Sequence, residues 1–174
     1  SEDGKTFTFH LREGVRWSDG EPFTTEDVRF WFEDITLNEE LSPTFPSWLT
    51  TEGEPCVFEV KDEYTFTVSF SKPNAVFPMQ LAYFGGFFVP AHYLKQFHPK
   101  YADPEKLEEM AKEYGFDFWY QLFGLKNDWL QNSDRPSLWA WKLASAPTAT
   151  LMVLERNPYY WKIDPAGNQL PYID

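Results

Sequence analysis

The 174 residues carry 27 acidic against 15 basic side chains, a net charge of −12, which repels phosphate backbones and anionic lipid and argues against a nucleic-acid or membrane-surface partner. Aromatic residues at 20% within a hydrophobic content of 43% supply far more burial than a disordered chain carries. No apolar run approaches the roughly 20 residues of a bilayer span.

Residues 6–12 alternate: Phe7, Phe9 and Leu11 face one way, Thr6, Thr8, His10 and Arg12 the other, the pattern of a half-buried strand. Ser18-Asp19-Gly20 is a turn signal, closed by Glu21-Pro22. Thr24 has the chemistry of an N-cap with Asp27 at the third helical position. Val28, Trp31, Phe32 and Ile35 then share one helical face, so a helix is predicted over residues 25–38. Residues 41–55 read as loop, broken by Pro43, Pro46, Gly53 and Pro55. Residues 57–61 and 64–70 flank an Asp62-Glu63 turn and read as a β-hairpin. A short helix is predicted over 76–83, broken by Gly85-Gly86, and Pro90 opens another through Phe97. Asp103-Pro104 starts a helix whose stripe is Leu107, Met110, Ala111 and Tyr114, ended by Gly115. Residues 116–130 are predicted helical in part, and 139–143 and 150–156 as strands. Asn157-Pro158 and Ala166-Gly167-Asn168 mark turns. Strands in antiparallel pairs, with helices between the pairs, make the fold class α+β in one unit.

Two stretches carry a resemblance. The first runs Asp3-Gly4-Lys5-Thr6-Phe7-Thr8-Phe9-His10-Leu11-Arg12-Glu13-Gly14-Val15-Arg16-Trp17-Ser18-Asp19-Gly20 and continues through Pro22-Phe23-Thr24 and Glu26-Asp27-Val28. The second is Arg156-Asn157-Pro158-Tyr159-Tyr160-Trp161, followed by Gly167-Asn168-Gln169-Leu170-Pro171-Tyr172-Ile173-Asp174. Both resemble the family 5 bacterial solute-binding proteins, and the hairpin at 57–70 and the segment Val89-Pro90-Ala91-His92-Tyr93-Leu94 fit in order. Residues 98–138 match least and are read as a helical insertion. The resemblance implies two lobes joined by a hinge that close over a ligand without chemistry, in a chain several hundred residues long. Residues 1–156 would be the α+β subdomain of the first lobe, and residues 157–174 the start of the return into the main lobe. The chain starts at Ser1 without an initiator Met and ends on apolar residues. It is therefore read as a piece, with an export signal expected upstream and an extracytoplasmic location.

Members of the family often place a glycine-rich turn near the cleft, ahead of the Arg-Asn-Pro-Tyr strand. Here Pro136-Ser137-Leu138-Trp139-Ala140-Trp141-Lys142-Leu143 stands instead. Trp139 and Trp141 are the candidate ligand-binding residues, two apart on a predicted strand and so on one face, where flat aromatics can cap a sugar ring or an apolar side chain. Trp48, Trp119, Trp129 and Trp161 also lie in or near irregular segments, where exposed rings could meet a ligand, and the competing assignment for every tryptophan is core packing.

Catalysis finds little support. His10 lies on a polar strand face, and His92 and His98 lack the i, i+4 spacing of a helical metal pair, so all three read as surface or turn residues. Nucleophile elbow, Walker loop and dinucleotide fingerprint are missing. The acid pairs Glu39-Glu40, Asp62-Glu63 and Glu108-Glu109 read as solvated faces rather than as a glycosidase couple. Asp164 to Asn168 lacks the ligand spacing of a calcium loop and reads as a turn. Cys56, the single cysteine, reads as a small buried hydrophobe. The expectation is therefore a monomeric, non-enzymatic part of a solute receptor, with no catalytic residue, cofactor or metal. It would take a peptide, an oligosaccharide or another small molecule for an ABC permease. The alternatives are a saccharide-acting enzyme domain and a stand-alone interaction module.

Overall fold

In the computed structural model, which describes residues 1–84, 86–148 and 150–173 and of Phe84 only the backbone, the first alternating run forms β1 (Thr6–His10). Gly85, read above as part of a helix break, and Asp174, the end of the second resembling run, lie outside the described residues. The chain divides into two units, Ser1–Glu13 with Thr24–Val89, and Gly14–Phe23 with Pro90–Asp174. That division crosses the single unit read over residues 1–156.

The first unit is built on an aromatic core. Helix α1 (Thr25–Phe30) starts as its sequence dictates: the Thr24 hydroxyl accepts from the Glu26 amide at 3.3 Å and the Asp27 carboxylate accepts from the Thr24 amide at 3.1 Å. The predicted α-helix to residue 38 is interrupted, because Trp31–Thr36 winds as a wider π-helix. Each π turn holds an extra residue, so the buried face lags the 3.6 period. Asp34 and Thr36 become buried, while Trp31 and Ile35 are only half-buried. The loop over 41–55 contains a 3-10 turn (Ser47–Leu49) and a small antiparallel pair, β2 (Thr50–Thr51) with β3 (Glu54–Pro55). The hairpin of β4 (Val57–Val60) and β5 (Thr65–Ser69) forms as predicted, and β5 becomes the centre of an antiparallel sheet in the order β1-β5-β4. A central strand is covered by neighbours on both edges, so even Thr67 on its polar face is buried. Helix α2 (Phe77–Phe84) drives Phe77, with none of its surface exposed, against Phe7 and Phe70 at 5.1 and 4.9 Å between ring centroids. Phe9 and Phe66, partners in register, stack at 4.9 Å.

In the second unit, residues 14–23 close a turn with Trp17 buried beneath it: the Trp17 amide donates to the Glu21 carbonyl at 2.8 Å and the Phe23 amide to the Val15 carbonyl at 2.9 Å. This turn joins the later half of the chain through the Ser18 amide, which donates to the Ser137 carbonyl at 3.0 Å, and through His92 Nε2, 2.8 Å from Asp19 Oδ2. Helix α3 (Ala91–Leu94) runs into a 3-10 turn, Lys95–Phe97. Helix α4 (Pro104–Glu113) is capped by Asp103, as its sequence indicates, and stops where Gly115 adopts φ +80°. Helix α5 (Trp119–Asn127) packs on α4 through Leu107, Ala111, Leu122 and Phe123, all buried.

One histidine is placed differently from its sequence reading. His98 is 4% exposed, not a surface group. Its Nδ1 accepts from the Lys100 amide at 3.2 Å, and its ring sits edge-on to Trp119 and Phe123. The backbone bond satisfies the imidazole inside an apolar shell, a pairing that no residue spacing announces.

Candidate functional site

The second unit ends in a short antiparallel pair, β6 (Trp141–Leu143) and β7 (Leu154–Arg156), in the register Trp141 with Arg156 and Leu143 with Leu154. Both strands are shorter than expected. Trp139 lies before β6, so the two tryptophans are not neighbours on one strand face. The cause is a single side chain. Asn157, fully buried, donates from Nδ2 to the carbonyls of Trp139 (2.9 Å) and Ser137 (3.2 Å), and its own amide donates to the Ala140 carbonyl at 2.9 Å. The Asn157 side chain engages the Ser137 and Trp139 carbonyls, the first shared with the Ser18 amide, in place of a strand ladder, so residues 137–140 form a clamped loop.

The loop borders a cavity of about 400 Å³, within the range of small-ligand sites. Trp129, Trp139, Trp141 and Tyr160 supply its aromatic surface. The Trp129 and Trp139 rings stack at 6.4 Å with 24° between planes. They remain 55% and 67% exposed in this chain. Tyr160 is held from behind: Gln169 Nε2 donates to the Pro158 and Tyr160 carbonyls, both at 2.8 Å. Both candidate tryptophans thus line one cavity, by a route other than strand alternation. Tyr160 and the brace Asn157 were not singled out by sequence reasoning, which placed Trp129 only among the tryptophans of irregular segments. The Arg156-Asn157-Pro158 motif was the available signal for Asn157, and nothing in the spacing ties Trp129 to Trp139.

Polar groups are few. Asn132 Nδ2 is committed to the Lys126 carbonyl and the Tyr93 hydroxyl, at 2.7 and 2.9 Å. Lys142 pairs with Glu155. Arg135 donates from Nε to Asn127 Oδ1 at 3.0 Å and from Nη1 to the Pro136 carbonyl at 3.2 Å, and burial pushes its guanidinium down to about 10. Among the described residues, no group of three or more His, Cys, Asp or Glu could hold a metal ion, and no helix is long and apolar enough to cross a membrane. The site offers stacking faces and hydrogen-bond donors.

Comparison with known proteins follows the same line. The profile of the bacterial extracellular solute-binding proteins, family 5 Middle, matches residues 1–174. The chain is 39% identical over 180 residues to the periplasmic alpha-galactoside-binding protein of Rhizobium meliloti strain 1021, covering all of the chain and 23% of that protein. A solved structure of an oligopeptide-binding protein OppA superposes with a TM-score of 0.91 at 45% identity, covering all of this chain and 27% of that one. The periplasmic binding protein MelB of Agrobacterium fabrum C58, in complex with stachyose, gives 0.73 at 36% identity, covering 99% of this chain and 24% of that one. The chain spans about a quarter of the length of the curated relatives it matches.

Proposed function

Because this chain belongs to the bacterial extracellular solute-binding proteins of family 5, we propose that it is one segment of an extracytoplasmic receptor that captures an oligosaccharide and hands it to an ABC importer. The observation that carries this reading is the exposed Trp129–Trp139 stack lining a cavity together with Trp141 and Tyr160. Apolar faces of sugar rings lie flat on such surfaces. The names of the alpha-galactoside-binding relative and of the stachyose complex support the same ligand class.

Capture is by closure of two lobes over the ligand, with no bond made or broken, by a monomer whose permease contacts involve the complete protein. Residues 157–174 lead back into the main lobe, and residues 98–138 are a helical insertion that carries Trp129. A second reading, capture of an oligopeptide, is favoured by the similarity to OppA at 45% identity.

The test is thermal unfolding of the full-length protein with tri- and tetrasaccharides and with tri- and tetrapeptides. A ligand at about 100 times its Kd adds about 2.7 kcal/mol to the native state and raises the midpoint accordingly. The expected result is a shift with saccharides alone, and chromatography that recovers the sugar unchanged. A shift with peptides alone would transfer the site to the second reading, and cleaved sugar would restore the enzyme class.

A further inference from the structure

The cavity's wall is one-sided in charge. Among the described residues none that lines it is Asp or Glu, although the chain holds 27 of them against 15 basic residues. Its two cations differ. Lys142 is neutralised by Glu155 across the strand pair. Arg135 bonds only neutral oxygens, those of Asn127 and Pro136, and neither bond uses Nη2. Among the described residues no carboxylate lies within salt-bridge distance of Arg135. Asp128 favours its charge from further off. The Asp128 oxygens are engaged elsewhere, accepting from the Leu130 amide and from Gln131 Nε2, each at 2.8 Å.

A guanidinium partly withdrawn from water, with its counter-charge Asp128 beyond salt-bridge distance, is held at a cost that an incoming anion relieves. Its fork matches the two oxygens of a carboxylate. Neutral sugar hydroxyls are a poorer match, because each also brings an O–H donor and the wall has no carboxylate side chain to receive it. The stacked tryptophans ask for a flat ring face beside that charge.

We propose that the cavity seats a uronic-acid unit of an oligosaccharide, with its ring on the Trp129–Trp139 stack and its carboxylate on Arg135. This rests on the oligosaccharide reading above and narrows it from neutral to acidic sugars. Arg135 is the residue that selects between them.

The experiment is titration calorimetry on the full-length protein at low salt. It uses a matched pair of probes, α-1,4-digalacturonic acid and α-1,4-galactobiose, which differ at C6 by a carboxylate in place of a hydroxymethyl group. The acidic disaccharide binds about tenfold or more tighter than the neutral one, and added salt weakens the preference. Arg135→Met abolishes the preference, and Arg135→Lys, which keeps the charge without the fork, retains part of it. Equal or tighter binding of galactobiose by the unaltered protein overturns the proposal without any variant, as does a preference that survives in Arg135→Met. Galactobiose binding that is lost in Trp139→Ala would leave the oligosaccharide reading standing in that case. A protein that takes short peptides and neither disaccharide sinks both.

Discussion

Asn157 holds Trp139 by the backbone: its buried side-chain amide donates to the Trp139 carbonyl at 2.9 Å, and its Oδ1 accepts from the Tyr159 amide at 2.9 Å. An exposed aromatic is thus positioned by a fully buried group outside the cavity lining. Replacing Asn157 by Ala leaves the Ser137 and Trp139 carbonyls and the Tyr159 amide without this partner. The expected loss is about 2–4 kcal/mol, read as a lowered unfolding midpoint. Asn157→Asp is expected to be no better, because a carboxylate would face two carbonyl oxygens. An unchanged midpoint in Asn157→Ala would show that the clamp is dispensable.

Trp139→Ala separates binding from stability. With 67% of its surface exposed, the ring contributes little to folding, and the midpoint is expected to stay within about 0.5 kcal/mol equivalent. Affinity for a stacked sugar is expected to fall by tenfold or more, in line with loss of about 1.4 kcal/mol. The same holds for Trp129→Ala. Calorimetry on both variants and the double variant checks it. Losses that simply add would mean the two rings act independently of their 6.4 Å stacking.

Gly20 occupies a position where any side chain is strained. It adopts φ +96°, and a Cβ there would stand 3.1 Å from the Tyr159 hydroxyl oxygen and 3.2 Å from Cζ. Gly20→Ala is expected to cost about 1–3 kcal/mol through strain and the clash together. Gly14→Ala is the control: its φ of +81° is similar, but nothing lies within 4 Å, so only the backbone cost of about 1 kcal/mol applies. Chemical denaturation of the two variants should rank them in that order.

Cys56 is buried, and desolvation pushes its thiol up from 9.0 to about 11. The folded state therefore holds the proton more tightly than the unfolded one. The resulting contribution, on the order of 2 kcal/mol, is fully present below pH 9 and fades as pH rises toward 11. Between pH 8 and 11 the protein should lose about that much more stability than its Cys56→Ala variant. Thiol-specific reagents at pH 8 should label Cys56 only after denaturant is added, and fast labelling of the native protein would contradict the burial.

Asp164 is fixed by its own turn. Hydrogen bonds from the Tyr172 hydroxyl, and then from Asn168, hold its carboxyl down to about 2. The turn's contribution is present above pH 3.8 and lost as pH falls toward 2. Tyr172→Phe removes the first of these bonds, so the carboxyl should titrate nearer its ordinary value. Carboxyl-carbon NMR across pH 2–5 reads that shift directly, and an unmoved titration would show that the Tyr172 bond is absent in solution.

Elements whose causes are local were legible. Thr24, Asp27, Asp103 and Gly115 satisfy or end a helix through atoms a few residues away, and the alternation at Phe7 and Phe9 and at Phe66 and Val68 names the buried side of its strand without reference to any other segment. Trp139 and Trp141 were picked from the resemblance, and both line the cavity. Their assignment to one strand failed because it rested on spacing alone.

The hairpin at 57–70, the capped helices and the family could be read along the chain, since each rests on residues close in sequence, whereas the pairing of β1 with β5 joins segments more than fifty residues apart. Tertiary structure alone decided the burial of His98, the π winding at Trp31–Thr36, and the cavity. Those depend on partners brought together by folding: Trp129 against Trp139, Asn157 against the carbonyls of Ser137 and Trp139, and Arg135 beside a wall in which none of the described residues is acidic. Contacts between distant segments are selected by packing and hydrogen-bond satisfaction across the whole unit, and neither is encoded in the period of any one segment.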